Sequence, residues 1–263
     1  MKRVLICLMA LLLLALPLAA CSKNNGSGEN GVVDMTVKDS GQYFTAEGEF
    51  ADRFEYEYIN GDEVAITGFS ASYIPHSVTV PSVIDERPVT EIAACAFYNA
   101  TNITAIIVPE GVTKIGDLAF ANCTAMVNAT LPATVSTLGE AAFSGCILLK
   151  EITLPAGLQK LGAKVFNGCK SLTAVTLPAA ITAVPEQAFM DCERLKTVAL
   201  AEGTTAVADF AFFGCTVLET VNFAAMLTEI GSYAFAECPK LPTPALPESV
   251  KLGTNAFYNT PKS

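Results

Sequence analysis

The chain contains no tryptophan, a single histidine and little charge: Asp, Glu, Lys and Arg make up 16% of its 263 residues. Set beside 51% hydrophobic residues, that charge content excludes a disordered chain, which buries too little apolar surface to offset its conformational entropy. Bases are scarcer than acids, 16 Lys and Arg against 26 Asp and Glu, for a net charge of −10. Clustered cations that would hold a phosphate backbone are therefore missing, and nucleic acid is not expected as a partner. Catalytic motifs are wanting too. The only imidazole, His76 in Ile74-Pro-His-Ser77, reads as a solvated loop residue rather than a general base. There is no His-Glu-x-x-His, Gly-x-Ser-x-Gly or Gly-x-x-x-x-Gly-Lys pattern. Asp62-Glu63 and Asp85-Glu86 fall in turn-like stretches, and no Asp-x-Asp-x-Asp-Gly calcium loop is present. No catalytic residue, metal ligand or cofactor is assigned, and enzyme activity is not expected.

No apolar run is long enough to span a membrane: the one from Val4 to Leu18 falls short of the ~20 residues required. It follows Lys2 and Arg3 and ends in small residues, the layout of a secretory signal peptide. A retained membrane anchor is the lesser alternative. Leu18-Ala19-Ala20-Cys21 resembles the bacterial lipobox, in which the signal is cut before the cysteine and its thiol takes lipid chains. That resemblance implies residues 1–20 as signal peptide, Cys21 as the lipid attachment site, and a mature protein tethered to a membrane. Residues 21–45 read as a tether and flexible lead-in, beginning with the Gly- and Asn-rich stretch Ser22 to Gly31.

The remainder repeats. Phenylalanine recurs at Phe97, Phe120, Phe143, Phe166, Phe189, Phe212, Phe235 and Phe257, in six steps of 23 and a last step of 22. Ala precedes each of them except Phe166, which follows Val165, and in six units a cysteine stands three residues later: Cys123, Cys146, Cys169, Cys192, Cys215 and Cys238. A unit this short cannot bury its own apolar face, so neighbouring units must stack on a shared core. Val175 and Leu177 alternate with Thr176 as in a half-buried strand. Equivalent triplets are Ile106-Ile107-Val108, Ala129-Thr130-Leu131, Ile152-Thr153-Leu154, Val198-Ala199-Leu200 and Val221-Asn222-Phe223. A second strip is marked by pairs such as Val112/Ile115 and Leu158/Leu161, usually followed by a glycine that turns the chain back. The expected fold is a β-rich solenoid of about eight units over residues 77–263, a parallel sheet plus a second short strand strip. At ~4.8 Å per coil its length is ~40 Å.

The frame Leu-x-x-Val-x-Leu-Pro-x-x-Ile-x-x-Ile-Gly-x-x-Ala-Phe-x-x-Cys resembles the BspA-type, or treponemal, class of bacterial leucine-rich repeats over about residues 77–260. Pro185 and Ala208 replace the usual glycine, and Ala201 and Ala224 the strand-ending proline; these read as local turn changes. Residues 46–76 are expected to form an N-terminal β cap, with Phe54–Tyr58 turning at Asn60-Gly61 into Glu63–Thr67. At the far end, Pro242 and Pro244 mark Leu241–Leu246 as a last edge strand.

An exported chain could oxidise its cysteines. The regular ladder favours small buried thiols packing as hydrophobes; bridges between neighbours and a metal remain open, although thiols in a line do not make a tetrahedral site. Acid concentrates upstream: residues 22–91 have a net charge of −9 and residues 92–263 of −3. The outward strand positions with their flanks, Asn128, Lys150, Glu151, Thr153, Lys196, Glu219 and Asn222, form a candidate binding stripe, or equally an ordinary β surface. Members of the resembled family are associated with adhesion and coaggregation. The resemblance thus implies an exported lipoprotein at the cell surface or outer membrane, or on the outer face of the plasma membrane in a single-membrane cell. It would bind host extracellular or other bacterial surface proteins. A structural envelope spacer without a ligand is the alternative. Oligomeric state is not legible.

Overall fold

A computed structural model of the chain describes residues 54–69 and 76–261. The expected signal peptide, Cys21, the tether and the first part of the cap region, residues 46–53, lie outside the described residues. No helix among the described residues is long and apolar enough to cross a membrane.

The cap is a hairpin. β1 (Phe54–Ile59) and β2 (Glu63–Phe69) pair antiparallel across Asn60 and Gly61, both with positive φ (52° and 87°), the requirement of a tight hairpin turn. β2 pairs parallel with β5 (Arg87–Ile92), so the hairpin adds directly to the end of the solenoid. Between them lie β3 (Ser77–Thr79) and β4 (Val83–Ile84); β4 turns back on β5 through Asp85 and Glu86, again both with positive φ. Asp85 clasps the cap: its Oδ2 accepts the hydroxyls of Tyr56 at 2.9 Å and Tyr58 at 2.8 Å.

The following coils give one strand to a main sheet and one to a strip, except the coils of Lys160–Leu161 and Lys251–Leu252, which give only the strip strand. The main sheet holds β3, β6 (Ala105–Ile107) and β8 (Asn128–Thr130), then, as a separate group, β11 (Ala174–Thr176), β13 (Thr197–Ala199) and β15 (Thr220–Asn222). The strip runs through β5, β7 (Lys114–Ile115), β9 (Thr137–Leu138) and β10 (Lys160–Leu161). It resumes with β12 (Ala183–Val184), β14 (Ala206–Val207), β16 (Glu229–Ile230) and β17 (Lys251–Leu252). Pairing from coil to coil is parallel and in register, Val175 on Val198 on Val221. The fold is thus the 23-residue leucine-rich solenoid.

Four expectations need correction. The main strands are set one residue earlier than the triplets suggested, ending at Ile107, Thr130, Thr176, Ala199 and Asn222, whether a proline (Pro109, Pro132, Pro178) or an alanine (Ala201, Ala224) stands two residues on. Ile152-Thr153-Leu154 is not a strand; only the preceding Glu151 forms a bridge, to Asn128. Leu241–Leu246 is not an edge strand either: it pairs with no neighbouring strand, and the Thr243 N–H donates to the Pro261 carbonyl at 3.1 Å instead. The glycines after the strip serve close approach rather than turning: a Cβ on Gly162 would lie 2.3 Å from the backbone of Gly139, and one on Gly139 2.6 Å from Gly116.

The core is a set of side-chain columns along the axis. Val78, Ile106, Ile152, Val175 and Val198 come from the main face, and Ile92, Ile115, Leu138, Val184, Val207 and Ile230 from the strip. The Phe column stacks along their side: rings from Phe97 to Phe257 lie 5.1 to 5.7 Å apart within 22° of parallel. The Phe segment carries a third ladder. In each coil the Phe N–H and those two residues to either side donate to the next coil, as Phe120 to Ala142, Leu118 to Glu140 and Asn122 to Ser144. Both flanking positions have positive φ. The position after Phe is filled by Asn, Asp, Glu or Gly, mostly residues that tolerate it; the position before it takes Leu118, Lys164, Phe210 and Tyr233 regardless.

Candidate interaction face

Side chains of alternate residues leave the main sheet outward, so stacking in register turns each outward position into a column. One runs Asn128, Glu151, Ala174, Thr197, Thr220; the other Thr130, Thr153, Thr176, Ala199, Asn222, with Ile107 exposed ahead of it. A third column just before the strands holds Lys150, Lys196 and Glu219. All seven candidate stripe residues therefore lie on one face, uncovered by any other described element.

They are not equivalent. Lys196 Nζ sits 3.3 Å from Glu219 Oε2, and Lys240 Nζ 3.9 Å from the other oxygen of the same carboxylate. The Asn222 amide is folded onto the sheet: its Oδ1 accepts the Leu200 N–H at 2.6 Å and its Nδ2 donates to the Leu200 carbonyl at 3.2 Å. That side chain does there what a backbone strand would do. The C-terminal part of the stripe is thus occupied with internal contacts, although its exposed ion pairs contribute only ~0–1 kcal/mol each. At the other end Asn128 and Glu151 face each other across the bridge, Thr153 is exposed, and Lys150 makes no ion pair among the described residues. Beside Thr153 a shallow cleft of 360 Å³ opens, lined by Ile152, Leu154, Ala156, Val175, Thr176 and Pro178. Sequence reading missed it, since Ile152-Thr153-Leu154-Pro155 has the same pattern as the paired Val175-Thr176-Leu177-Pro178.

The six ladder cysteines are buried free thiols. Each Sγ donates to the carbonyl of the phenylalanine 26 residues earlier at 3.2 Å, Cys123 to Phe97 through Cys238 to Phe212. They act as donors as well as hydrophobes. Each such Phe carbonyl also takes its own coil's N–H three residues on, as Phe120 takes that of Cys123. Burial pushes the Cys123 and Cys238 thiols up to about 12 and the four between them well above the ordinary range, so the ladder holds no thiolate near neutral pH. Among the described residues no group of three or more His, Cys, Asp or Glu is placed to hold a metal ion. His76 is exposed and shares a hydrogen bond with the Asn102 carbonyl at 3.0 Å.

The repeat profile described as a BspA type leucine rich repeat region matches residues 76–196 and 159–263, with six copies. The chain belongs to the BspA-type leucine-rich repeat family. A leucine-rich repeat protein of T. pallidum is similar at 32% identity and a TM-score of 0.67, over 75% of this chain and 89% of that one. A leucine-rich cell surface protein of Faecalibacterium prausnitzii is 30% identical with a TM-score of 0.67, over 77% of this chain and 54% of that one. A leucine-rich repeat protein of Bacteroides ovatus is 26% identical with a TM-score of 0.62, over 81% of this chain and 62% of that one. The chain therefore spans only about half to three fifths of the length of these last two. No curated protein matches it.

Proposed function

We propose that this BspA-type repeat protein is a lipid-anchored surface module that binds a partner protein with the outer face of its main sheet, and that it is not an enzyme. The observation that carries this reading is the uncovered face itself, on which Asn128, Lys150, Glu151 and Thr153 stand side by side with polar groups free for a partner. The export signal and the lipobox-like Leu18-Ala19-Ala20-Cys21 supply the address, and a surface protein stands among the similar structures. Partners are host extracellular or other bacterial surface proteins. The face lacks the Tyr, Trp and Arg anchors of tight interfaces, so binding is weak per site and gains strength from many copies on one membrane.

The test has two parts. Cells carrying the full chain are treated with a protease that cannot cross the envelope, and a Cys21→Ala variant is fractionated. Cleavage in intact cells and release of the variant from the membrane are expected. Saturable adhesion to a host matrix protein or a second bacterium is then compared with Lys150→Glu, which should weaken it while the fold is unchanged. Adhesion indifferent to every stripe substitution would leave the second reading, an envelope spacer, which the internal use of Lys196, Glu219 and Asn222 favours.

A further inference from the structure

Three ladders hold each coil to the next, and two of them stop at the same place. On the main face the Val108 N–H donates to Thr130 at 3.0 Å and the Leu177 N–H to Ala199 at 2.9 Å, whereas the equivalent N–H of Leu154 at this junction makes no backbone bond, nor does that of Leu131 one coil earlier, where the Asn128–Glu151 bridge remains. In the strip the Gln159 and Gly162 N–H groups reach back to Ser136 and Leu138 at 2.8 Å, and those of Thr205 and Ala208 reach back to Thr182 and Val184 at 2.8 and 2.9 Å. Between these coils no strip bond crosses: β10 pairs only with β9 and β12 only with β14. Pro185 occupies the repeat's glycine position there and has no N–H to give the Leu161 carbonyl. The cleft between Ile152–Ala156 and Ala174–Pro178 lies at the same junction.

The third ladder runs through unbroken. Lys164, Phe166 and Gly168 donate to Glu186, Ala188 and Met190 at 2.9, 2.9 and 2.8 Å, and the rings of Phe166 and Phe189 remain stacked at 5.5 Å. On the main face a single bond, Thr173 N–H to the Lys150 carbonyl at 3.1 Å, spans the junction.

We infer that the rod is two rigid blocks joined at this junction, flexing about the Phe166–Phe189 edge so that the cleft in the main face opens and closes. Two breaks on adjacent sides and an intact third side make a hinge with a defined direction, and local opening concentrates where backbone bonds are fewest. The motion changes the spacing between the Asn128, Lys150 and Glu151 group on one block and Lys196 and Glu219 on the other, and so alters how the face meets a partner. Pro185 therefore sets the hinge.

Amide exchange and a distance measurement test it on the full chain. The Leu154 and Thr182 amides are expected to exchange more than about tenfold faster than those of Leu177 and Thr205, their bonded equivalents one coil on. Spin labels introduced at Thr79 and Thr220 through unnatural amino acids, one on each block, should give a broad distance distribution that narrows in Pro185→Gly. If that variant does not fold by circular dichroism, Pro185→Ala serves, because Ala208 keeps its strip bond. Equal protection of the four amides, or a width unchanged in a folded Pro185 variant, would overturn the hinge.

Discussion

The Phe column makes a quantitative prediction because its members differ in how many sides are stacked. Phe166 is fully buried between Phe143 at 5.7 Å and Phe189 at 5.5 Å. Phe257 has a ring on one side only, Phe235 at 5.4 Å, and is partly exposed at the end of the rod. Truncating a core phenylalanine to alanine costs about 3–5 kcal/mol, and each aromatic contact adds about 0.5–1.5 kcal/mol beyond area burial. Phe166→Ala loses two such contacts and leaves a cavity that the parallel ladders on either side keep from collapsing, so about 5 kcal/mol is expected. Phe257→Ala loses one contact at a site solvent already reaches, and about 2 kcal/mol is expected. Urea unfolding followed by circular dichroism reads both. With a slope of about 2–3 kcal/mol per molar, the midpoints should fall by roughly 2 M and by less than about 1 M. Equal shifts would refute the claim that stacking on both sides determines the contribution of each ring.

The thiol ladder makes a pH prediction. Because burial raises the thiols above 9.0 in the folded state, their contribution to stability is complete below 9 and is lost as pH rises toward the folded values. Unfolding midpoints should therefore drop in alkaline buffer, and less so in Cys169→Ala; iodoacetamide at pH 8 should leave the six ladder thiols unmodified until the chain is unfolded. Asp85→Ala, which leaves two tyrosine hydroxyls without their acceptor, should cost about 1–2 kcal/mol and speed exchange of the β1 amides, whereas Tyr58→Phe at the exposed partner should do much less. Gly162→Ala should cost about 3 kcal/mol or prevent folding, since the new Cβ meets rigid backbone at 2.3 Å; a cost under about 1 kcal/mol would show that the coils can separate there freely.

What the sequence made legible was whatever repeats with side-chain chemistry attached. The 23-residue spacing of Phe and Cys and the alternation in Val175-Thr176-Leu177 were enough for the solenoid and its inner and outer faces, because stacking in register leaves one solution. The ladder through the Phe segment was not legible: its positive-φ residues include Leu118, Phe210 and Tyr233, which carry no signature of that conformation, and only the inter-coil bonds impose it. Pro185 was visible as a departure but read as a turn change. Its effect depends on an N–H that the neighbouring coils donate and it lacks, a property of the stack rather than of the turn. The candidate face was legible as columns, yet which side chains remain free was not. Whether Asn222 points at a partner or back onto Leu200 is decided by the local geometry of two coils.

That division bears on how such a rod could acquire a ligand. The inner columns, the Phe and Cys ladders and the close-approach glycines are each tied to a neighbour in the next coil, so a change at any of them is felt along the axis. Outward positions carry no such obligation, and here they have gone two ways: toward self-satisfaction at Lys196, Glu219 and Asn222, and toward an open group at Asn128, Lys150, Glu151 and Thr153. The open group is also the part of the face next to the cleft. Selection for a partner would act where side chains are uncommitted and the backbone can adjust, and on this chain both conditions meet at the coil that starts with Lys150. Under the adhesive role proposed above, substitutions on that coil's outer face should therefore alter partner binding with little loss of stability, while the same substitutions around Asn222 should do the reverse.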